Sequence, residues 1–170
     1  MFRSLSGRLL ILTTIFVMLA EILIFVPSIA RFRVEYMMNR LERAQIASLT
    51  LLASEMIDPA LEAELLRTAE VFNVVLRRDE MRQLVLSSPM PQAIKATYDL
   101  RDASAMMLIR DAFIQLADTD DGVIRVIGAP VQDAGLLIEI TMETSALRMA
   151  MIDYGVRILA LSAAISLITA

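Results

Sequence analysis

The sequence predicts an α+β domain, a small antiparallel sheet with flanking helices, bracketed by two transmembrane helices. Two apolar stretches in this chain of 170 residues, 9–30 and 158–170, predict the helices at its ends. A membrane span needs roughly 20 apolar residues, because a helix rises about 1.5 Å per residue and a bilayer core is about 30 Å thick. The first stretch meets that length, and we expect the second to be an incomplete span. The polar, periodic sequence between them is long enough to fold as one small domain.

Two helices are predicted at the start of this central region. The first continues out of the membrane to about residue 57, because apolar residues recur along it at helical spacing. The second begins with Asp58 as the N-cap and Pro59 in the first turn, and it reaches about Glu70.

Four strands are predicted from runs of β-branched and aromatic residues, at 71–76, 83–87, 123–127 and 136–141. The charged link 77–80 predicts a hairpin turn between the first two strands. Ser104 can cap a helix that reaches Leu116, and from about Thr144 the pattern is helical again and runs into the second apolar stretch. The order α, α, β, β, α, β, β, α with short links indicates an antiparallel sheet with helices on one side.

Charge predicts that the central region lies outside the cytoplasm. Arg3 and Arg8 precede the first span and favour a cytoplasmic N-terminus by the positive-inside rule. Arg31 and Arg33 follow the span and oppose that orientation, but the rule acts on loops of up to about 60 residues and this loop is longer. The loop is also acidic, with 19 Asp and Glu against 11 Lys and Arg in 34–153.

These boundaries define four segments. We expect a cytoplasmic N-terminus at 1–8, a first transmembrane helix at 9–31, an extracytoplasmic domain at 32–153 and the start of a second transmembrane helix at 154–170. A cleaved signal peptide is the alternative, because Ser28 and Ala30 form a small-x-small cleavage site. The apolar run, however, exceeds the usual length of about 7–15 residues and contains Glu21. Cleavage would also leave the second apolar run unexplained, so we favour the span.

The composition argues against several classes of site. The chain has no cysteine and no histidine, so disulfides, thiol chemistry and imidazole ligands or bases are excluded. The five glycines form no phosphate-loop pattern, and the acidic central region offers no basic face for nucleic acid. The twelve methionines predict core filling rather than a copper site, and the aspartates of 118–121 predict a turn rather than a calcium loop. We therefore expect no catalytic residue, metal or cofactor in this chain.

Four segments resemble the N-terminal input region of bacterial sensor histidine kinases, in particular those of an alphaproteobacterial group. They are SLSGRLL at 4–10, FVPSIARFR at 25–33, VLRRDE at 75–80 and MIDYGVRIL at 151–159. The resemblance covers nearly the whole chain. It implies a homodimeric, two-pass protein of the bacterial inner membrane, whose periplasmic sensor domain is PAS/Cache-like.

The same resemblance implies parts that this chain lacks. In that family the second span leads into a HAMP linker, a phospho-accepting histidine helix and an ATP-binding domain. We therefore expect this chain itself to bind neither ATP and Mg²⁺ nor a response regulator. All three would interact with the cytoplasmic kinase domain of the parent protein. The same outer layout also fits the input region of a chemoreceptor or cyclase, or a stand-alone membrane-anchored periplasmic adaptor.

Polar residues within the two apolar stretches are candidates for helix contacts. Glu21 lies near the middle of the first span, where an ionised carboxylate costs several kcal/mol unless it is protonated or paired. Ser162 and Ser166 follow each other at four-residue spacing in the second stretch, which allows close approach of helices. Counting from the outer flanks places Glu21 and Ser166 at nearly the same depth, about 14 Å inside the membrane. We predict a hydrogen bond between them, or between the Glu21 side chains of two subunits.

Four residues of the central region are candidate ligand contacts: Arg77, Lys95, Tyr98 and Arg125. Arginine and lysine recognise carboxylates and phosphates, so a pocket built from them would bind an anion. A solvated hairpin tip is the competing interpretation of Arg77, because polar residues dominate turns for conformational reasons. The sequence does not predict which ligand would bind.

Overall fold

The computed structural model describes residues 5–52, 58–77, 83–131 and 135–169. Within these residues the chain forms four helices and five strands. In chain order they are α1 Leu5–Leu52, α2 Pro59–Ala69, β1 Asn73–Arg77, β2 Gln83–Ser87, β3 Ile94–Asp99, α3 Ala105–Ala117, β4 Val123–Gly128, β5 Leu137–Glu143 and α4 Thr144–Thr169. Residues 78–80 of the predicted turn at 77–80 lie outside the described residues, and Arg77 is the last residue of β1. The predicted end of the first helix at 53–57 also lies outside the described residues.

Helix α1 connects the apolar N-terminal segment to the domain. It runs for 48 residues and continues through Pro27. Among the side chains that the structure describes, the large apolar ones between positions 9 and 24 are exposed, whereas Ile29, Met37 and Leu41 are buried. Of the helices that the structure describes, α1 alone is long and apolar enough to cross a membrane. The predicted start of a second span lies in α4, whose described residues do not meet the same requirement of length and hydropathy.

The sheet has the strand order β2-β1-β5-β4-β3. Three neighbouring pairs are antiparallel, and the edge pair of β3 and β4 is parallel. The predicted α+β class with a small sheet and flanking helices is confirmed, but the sheet is mixed and the prediction of a purely antiparallel sheet was wrong. The reason is that α3 crosses from β3 to β4, and a helical crossover connects parallel strands.

Strand β3 was missing from the sequence prediction. It contains lysine, alanine and aspartate, which are depleted in strands. As an edge strand it pairs on one side, and its inward residues Ile94, Ala96 and Tyr98 are only half-buried. The hydrophobic pattern is consequently weaker than in β4, whose residues are mostly buried.

The two predicted helix caps are confirmed. The carboxylate of Asp58 accepts a hydrogen bond of 2.9 Å from the backbone N–H of Ala60, and Pro59 occupies the first position of α2. The hydroxyl of Ser104 accepts one of 3.4 Å from the backbone N–H of Met107 at the start of α3. Each cap satisfies a backbone donor that the first helical turn leaves without a partner.

The core lies between one face of the sheet and α1. Val74 and Leu76 of β1 pair with Ile140 and Ile138 of β5, and all four side chains are buried. Alternate residues of a strand share a face, so these side chains form one apolar surface against α1. Helix and sheet approach closely at Gly128, where an added Cβ atom would lie 2.6 Å from Cδ1 of Leu41. A side chain at 128 would therefore require Leu41 to move.

Helix α4 starts directly after β5 and runs back beside α1. The rings of Phe32 and Tyr154 stack with centroids 4.2 Å apart and planes 13° from parallel. An added Cβ atom on Gly155 would meet the ring of Phe25 at 3.4 Å. Residues later in α4 contact residues earlier in α1, so the two helices are antiparallel and leave the domain side by side.

Candidate functional site

Arg33 is the most completely buried charged residue in the described part of the chain. It lies on α1, two residues past the predicted end of the first span, and has no exposed surface. Its Cζ atom lies 4.1 Å from the centroid of the Tyr98 ring, which is a cation–π contact. Within the described residues, none of its three guanidinium nitrogens has a hydrogen-bond partner.

Such a guanidinium is energetically unfavourable. A buried charge costs several kcal/mol unless it is paired and hydrogen-bonded. Burial lowers the pKa of Arg33 from its ordinary value, and the nearby Tyr98 and Asp111 offset part of that effect. Arginine nevertheless stays charged in proteins. The site therefore holds a positive charge whose hydrogen-bond donors are buried and unused within the described residues.

Arg33 adjoins a cavity of about 460 Å³ between β3, α1 and α3. Residues 97–100 of the edge strand and its continuation line one side. The loop before α3 and the α3 helix line the other, with Asp102, Met107, Arg110 and Asp111. The volume falls within the range of roughly 300–1,000 Å³ that is typical of small-molecule pockets.

The acidic residues around this cavity differ in their pairing. Asp99 binds Arg101 at 2.6 Å, and the hydrogen bonds from the Arg101 side chain and backbone lower the pKa of Asp99 to about 2. Asp111 binds the neighbouring Arg110 at 2.9 Å. No ion pair involves Asp102 among the residues that the structure describes. The cavity thus carries both signs of charge.

A second arginine of α1, Arg40, has hydrogen-bond and ion-pair partners within the domain. It donates 2.7 Å and 3.4 Å hydrogen bonds to the Tyr36 hydroxyl and the Ala69 carbonyl, and it forms an ion pair with Glu70. Glu70 is the C-cap of α2 and adopts a left-handed conformation with φ of 56°. Arg40 therefore ties α1 to the corner between α2 and β1. A cavity of about 390 Å³ adjoins this cluster.

The structure also brings Glu21 to α4. The hydroxyl of Ser162 donates a 2.9 Å hydrogen bond to Oε1 of Glu21. The depth argument from the sequence placed the partner at Ser166, one turn further along α4. The side chain of Ser166 lies outside the described residues. The hydrogen bond joins the polar group of the predicted first span to the helix that follows the sheet.

The predicted anion-binding residues do not form one pocket. Arg77 is exposed at the end of β1. Lys95 binds Asp118 at 2.6 Å, and Arg125 binds Glu139 at 2.8 Å. Arg125 is in register with Thr97, so Tyr98 lies on the opposite face of the sheet from Arg125. Of these four, Tyr98 lines the cavity beside Arg33.

Arg33 entered the sequence prediction only as a charge at the end of the span, and its role in the domain was missed. A signal was present, because Ile29, Arg33 and Met37 follow each other at four-residue spacing and form one helical stripe. An arginine within an apolar stripe indicates a buried charge. Comparisons with protein-family models, curated proteins and solved structures find no match to this chain.

Proposed function

We propose that this chain is the sensory input region of a two-component sensor histidine kinase in the bacterial inner membrane. In this proposal the N-terminus is cytoplasmic, 9–31 forms the first span, and 32–153 is a PAS/Cache-like periplasmic sensor. Helix α4 carries the signal back through a second span to a cytoplasmic kinase that is not part of this chain. Two copies would form the homodimer that the resemblance to these kinases implies.

The observation that carries the proposal is the continuous pair of α1 and α4. Helix α1 passes from the apolar segment into the domain without interruption, and α4 follows β5 with no intervening loop. A helix that enters a domain and another that leaves beside it can transmit a relative shift along their axes. The packing of Phe32 on Tyr154 places the two helices in contact where they leave the domain.

The antiparallel register supports a second span. The hydrogen bond places Ser162 and Glu21 at the same position along the axis of the helix pair. Because both helices rise equally per residue and run antiparallel, Ile168 of α4 lies at about the same depth as Ile15 of α1. If α1 crosses the bilayer at 9–31, this part of α4 lies at membrane depth too. Arg157 is exposed and pairs with Asp153. Beyond it, several described apolar side chains are exposed and could contact lipid: Leu159, Leu161, Ile165 and Ile168.

The first experiment tests the topology. Fusions after Asp79 and Asp120 should be active with a periplasmic phosphatase and dark with a fluorophore that folds only in the cytoplasm. A fusion after Arg8 should give the opposite pattern and serves as the control. A cytoplasmic signal from both loop fusions would contradict the receptor.

The second experiment separates the output classes. The reading frame that follows Ala170 in the parent gene should encode a HAMP linker, a histidine helix and an ATP-binding domain. A chemoreceptor or cyclase domain there would assign the input region to another receptor class. A stop codon without any output would favour the membrane-anchored adaptor.

The third experiment tests signal transmission. The chain has no cysteine, so a Phe32→Cys, Tyr154→Cys double variant reports the contact of α1 and α4 without background. Its matched control replaces Glu35, which is exposed on α1, in place of Phe32. In the intact kinase, we expect the disulfide to lock the output at one level across a titration of the stimulus. An output that still responds normally would contradict transmission by relative helix movement.

A further inference from the structure

The Arg33 cavity combines three observations. The guanidinium of Arg33 has no exposed surface and no hydrogen-bond partner within the described residues. It makes a cation–π contact with the ring of Tyr98. A cavity of about 460 Å³ adjoins it. Two acidic residues also line this cavity, Asp102 on the loop before α3 and Asp111 on α3 itself.

We infer that this cavity binds a small zwitterion, whose oxyanion takes the place of the Tyr98 ring against Arg33 and whose ammonium group faces Asp102 and Asp111. The oxyanion is a carboxylate or a phosphate, both of which match the planar donor array of a guanidinium. The inference deepens the proposed function by naming the class of signal, and its biological meaning rests on that function.

The charges of the cavity favour a zwitterion over a plain anion. The lining residues include Arg33 and Arg110 as well as Asp99, Asp102 and Asp111. Arg110 already pairs with Asp111, and Asp99 with Arg101. A plain anion at Arg33 would lie beside carboxylates, which like-charge repulsion opposes. An ammonium group on the same ligand turns that repulsion into attraction.

Binding requires a local movement. The Tyr98 ring covers Arg33, so the ring must shift before an oxyanion can reach the guanidinium. Tyr98 belongs to the edge strand β3, which has a single neighbour in the sheet. Such a strand resists displacement less than a central one. The ligand would then bind directly to α1, the helix that carries the proposed first span.

Two sources can supply this chemistry. One is a free amino acid in solution. The other is the phosphoethanolamine headgroup of a phospholipid, because Arg33 follows the predicted end of the span by only two residues, roughly 3 Å along the helix. Both ligands present an oxyanion and an ammonium group.

The test uses the full chain in nanodiscs of phosphatidylglycerol, a lipid whose headgroup has no ammonium group. Thermal unfolding is recorded with glycine, L-alanine or soluble phosphoethanolamine, and with acetate or methylammonium as probes of a single charge. We expect a zwitterion to raise the Tm in a saturable way, because a ligand that binds only the folded state stabilises it. Acetate and methylammonium should give at most a tenth of the apparent affinity.

Variants assign the effect to the cavity. Arg33→Met should weaken zwitterion binding at least tenfold, and Asp102→Asn, at an exposed loop position, should reduce it toward the affinity of acetate. Arg31→Met is the matched control, since Arg31 is exposed on the same helix and pairs with Glu35. It should bind like the parent. If Arg33→Met fails to fold, Asp102→Asn still tests whether the zwitterion binds in this cavity.

Nanodiscs that contain phosphatidylethanolamine separate the two sources. A higher Tm in those discs, with loss of the response to soluble zwitterions, would identify the lipid headgroup. An unchanged response would identify a free amino acid. The inference is overturned if no probe or lipid stabilises the chain, if acetate acts as strongly as the zwitterions, or if Arg33→Met binds like the parent. Binding to the purified chain is independent of topology and output, so these failures are distinct from failure of the receptor proposal.

Discussion

Arg33 and Arg40 lie seven residues apart on the same side of α1, and both are buried, yet their surroundings differ. Arg40 reaches a hydroxyl, a backbone carbonyl and a carboxylate. Arg33 contacts the ring of Tyr98 and has no hydrogen bond among the described residues. Seven residues make nearly two helical turns, so the two side chains meet different elements of the domain.

This difference separates structure from candidate function. A buried charge whose partners all belong to the protein fixes those partners in place, as Arg40 fixes the end of α2 against α1. A buried charge without such partners destabilises the fold, and natural proteins retain such groups mainly where they act. We therefore assign Arg40 to the framework and Arg33 to the ligand site.

Replacing Arg40 should have the largest effect. Arg40→Met removes the ion pair with Glu70 and the bonds to Tyr36 and Ala69, and we expect a loss of about 2 kcal/mol in the free energy of unfolding. The expected loss of stability is smaller than for a fully buried ion pair, because the Glu70 side chain is more than half exposed and water can hydrate its carboxylate when Arg40 is removed. Denaturant unfolding in detergent micelles measures it, with Arg31→Met, which is exposed on the same helix and pairs with Glu35, as control. A change within 0.5 kcal/mol would refute the framework role, as about that much is usual at surface positions.

Replacing Arg33 should have the opposite sign. Without ligand, Arg33→Met removes an unpaired buried charge and keeps much of the apolar volume, so we expect stability to rise by about 1 kcal/mol. The lost contact with Tyr98 limits the gain. Thermal unfolding without ligand measures the change, and Arg31→Met provides the matched surface variant. A loss of stability as large as that of Arg40→Met would mean that Arg33 has structural partners like those of Arg40.

Acid should weaken the Arg40 cluster. The hydrogen bond from Arg40 lowers the pKa of Glu70 below its usual value and outweighs burial, which acts the other way. Because the folded-state pKa is depressed, the stabilising contribution is complete above the unfolded pKa, about 4.5, and is lost as the pH falls through the folded value. Glu70 is largely exposed, so the contribution should stay below about 1 kcal/mol.

Stability measured from pH 6 to pH 2 tests this pH dependence. Glu70→Gln should flatten the decline below pH 4.5. Asp99, whose pKa is about 2, contributes equally to parent and variant and does not obscure the difference. Identical pH profiles for the two proteins would contradict a stabilising charge on Glu70.

Local signals in the sequence predicted most of the elements. Asp58 and Ser104 mark helix starts by capping chemistry that depends on neighbours within three residues. Strand β2 at Gln83–Ser87 matches its prediction because valine and leucine form a clear hydrophobic run. These features are encoded where they occur, so a single sequence is enough to find them.

What depends on distant contacts was not predictable in the same way. Strand β3 is stabilised by pairing with β4, whose partner residues are nearly 30 positions away, and its own residues have low strand propensity. The Arg33 cavity needs residues from α1, β3 and α3 together. Lys95, Tyr98 and Arg125 were grouped by residue type alone, and the alternation of strand faces separates Tyr98 from Arg125.

The contact between Glu21 and Ser162 should have the smallest effect and tests whether the two helices are coupled. Hydrogen bonds between membrane helices contribute about 0.6 kcal/mol on average, a factor of roughly three in an equilibrium. Glu21→Gln should be mild, since the amide still accepts a bond from Ser162. If the chain is the input region of the proposed kinase, Glu21→Leu and Ser162→Ala should each shift its basal output up to about threefold in the same direction, because each removes the same bond.

Membrane insertion should be normal in all three variants, and the Glu21→Leu, Ser162→Ala double variant should resemble the single variants, since one bond can be lost only once. Thr13→Ala is the control, because the Thr13 hydroxyl bonds to the Leu9 carbonyl within α1 and does not reach α4. Under the proposed function, basal output is measured as phosphorylation of a response regulator across a titration of the stimulus. Additive effects of Glu21 and Ser162 would mean that the two residues act separately. Parent-like output from Glu21→Leu would make Glu21 a tolerated residue of the span.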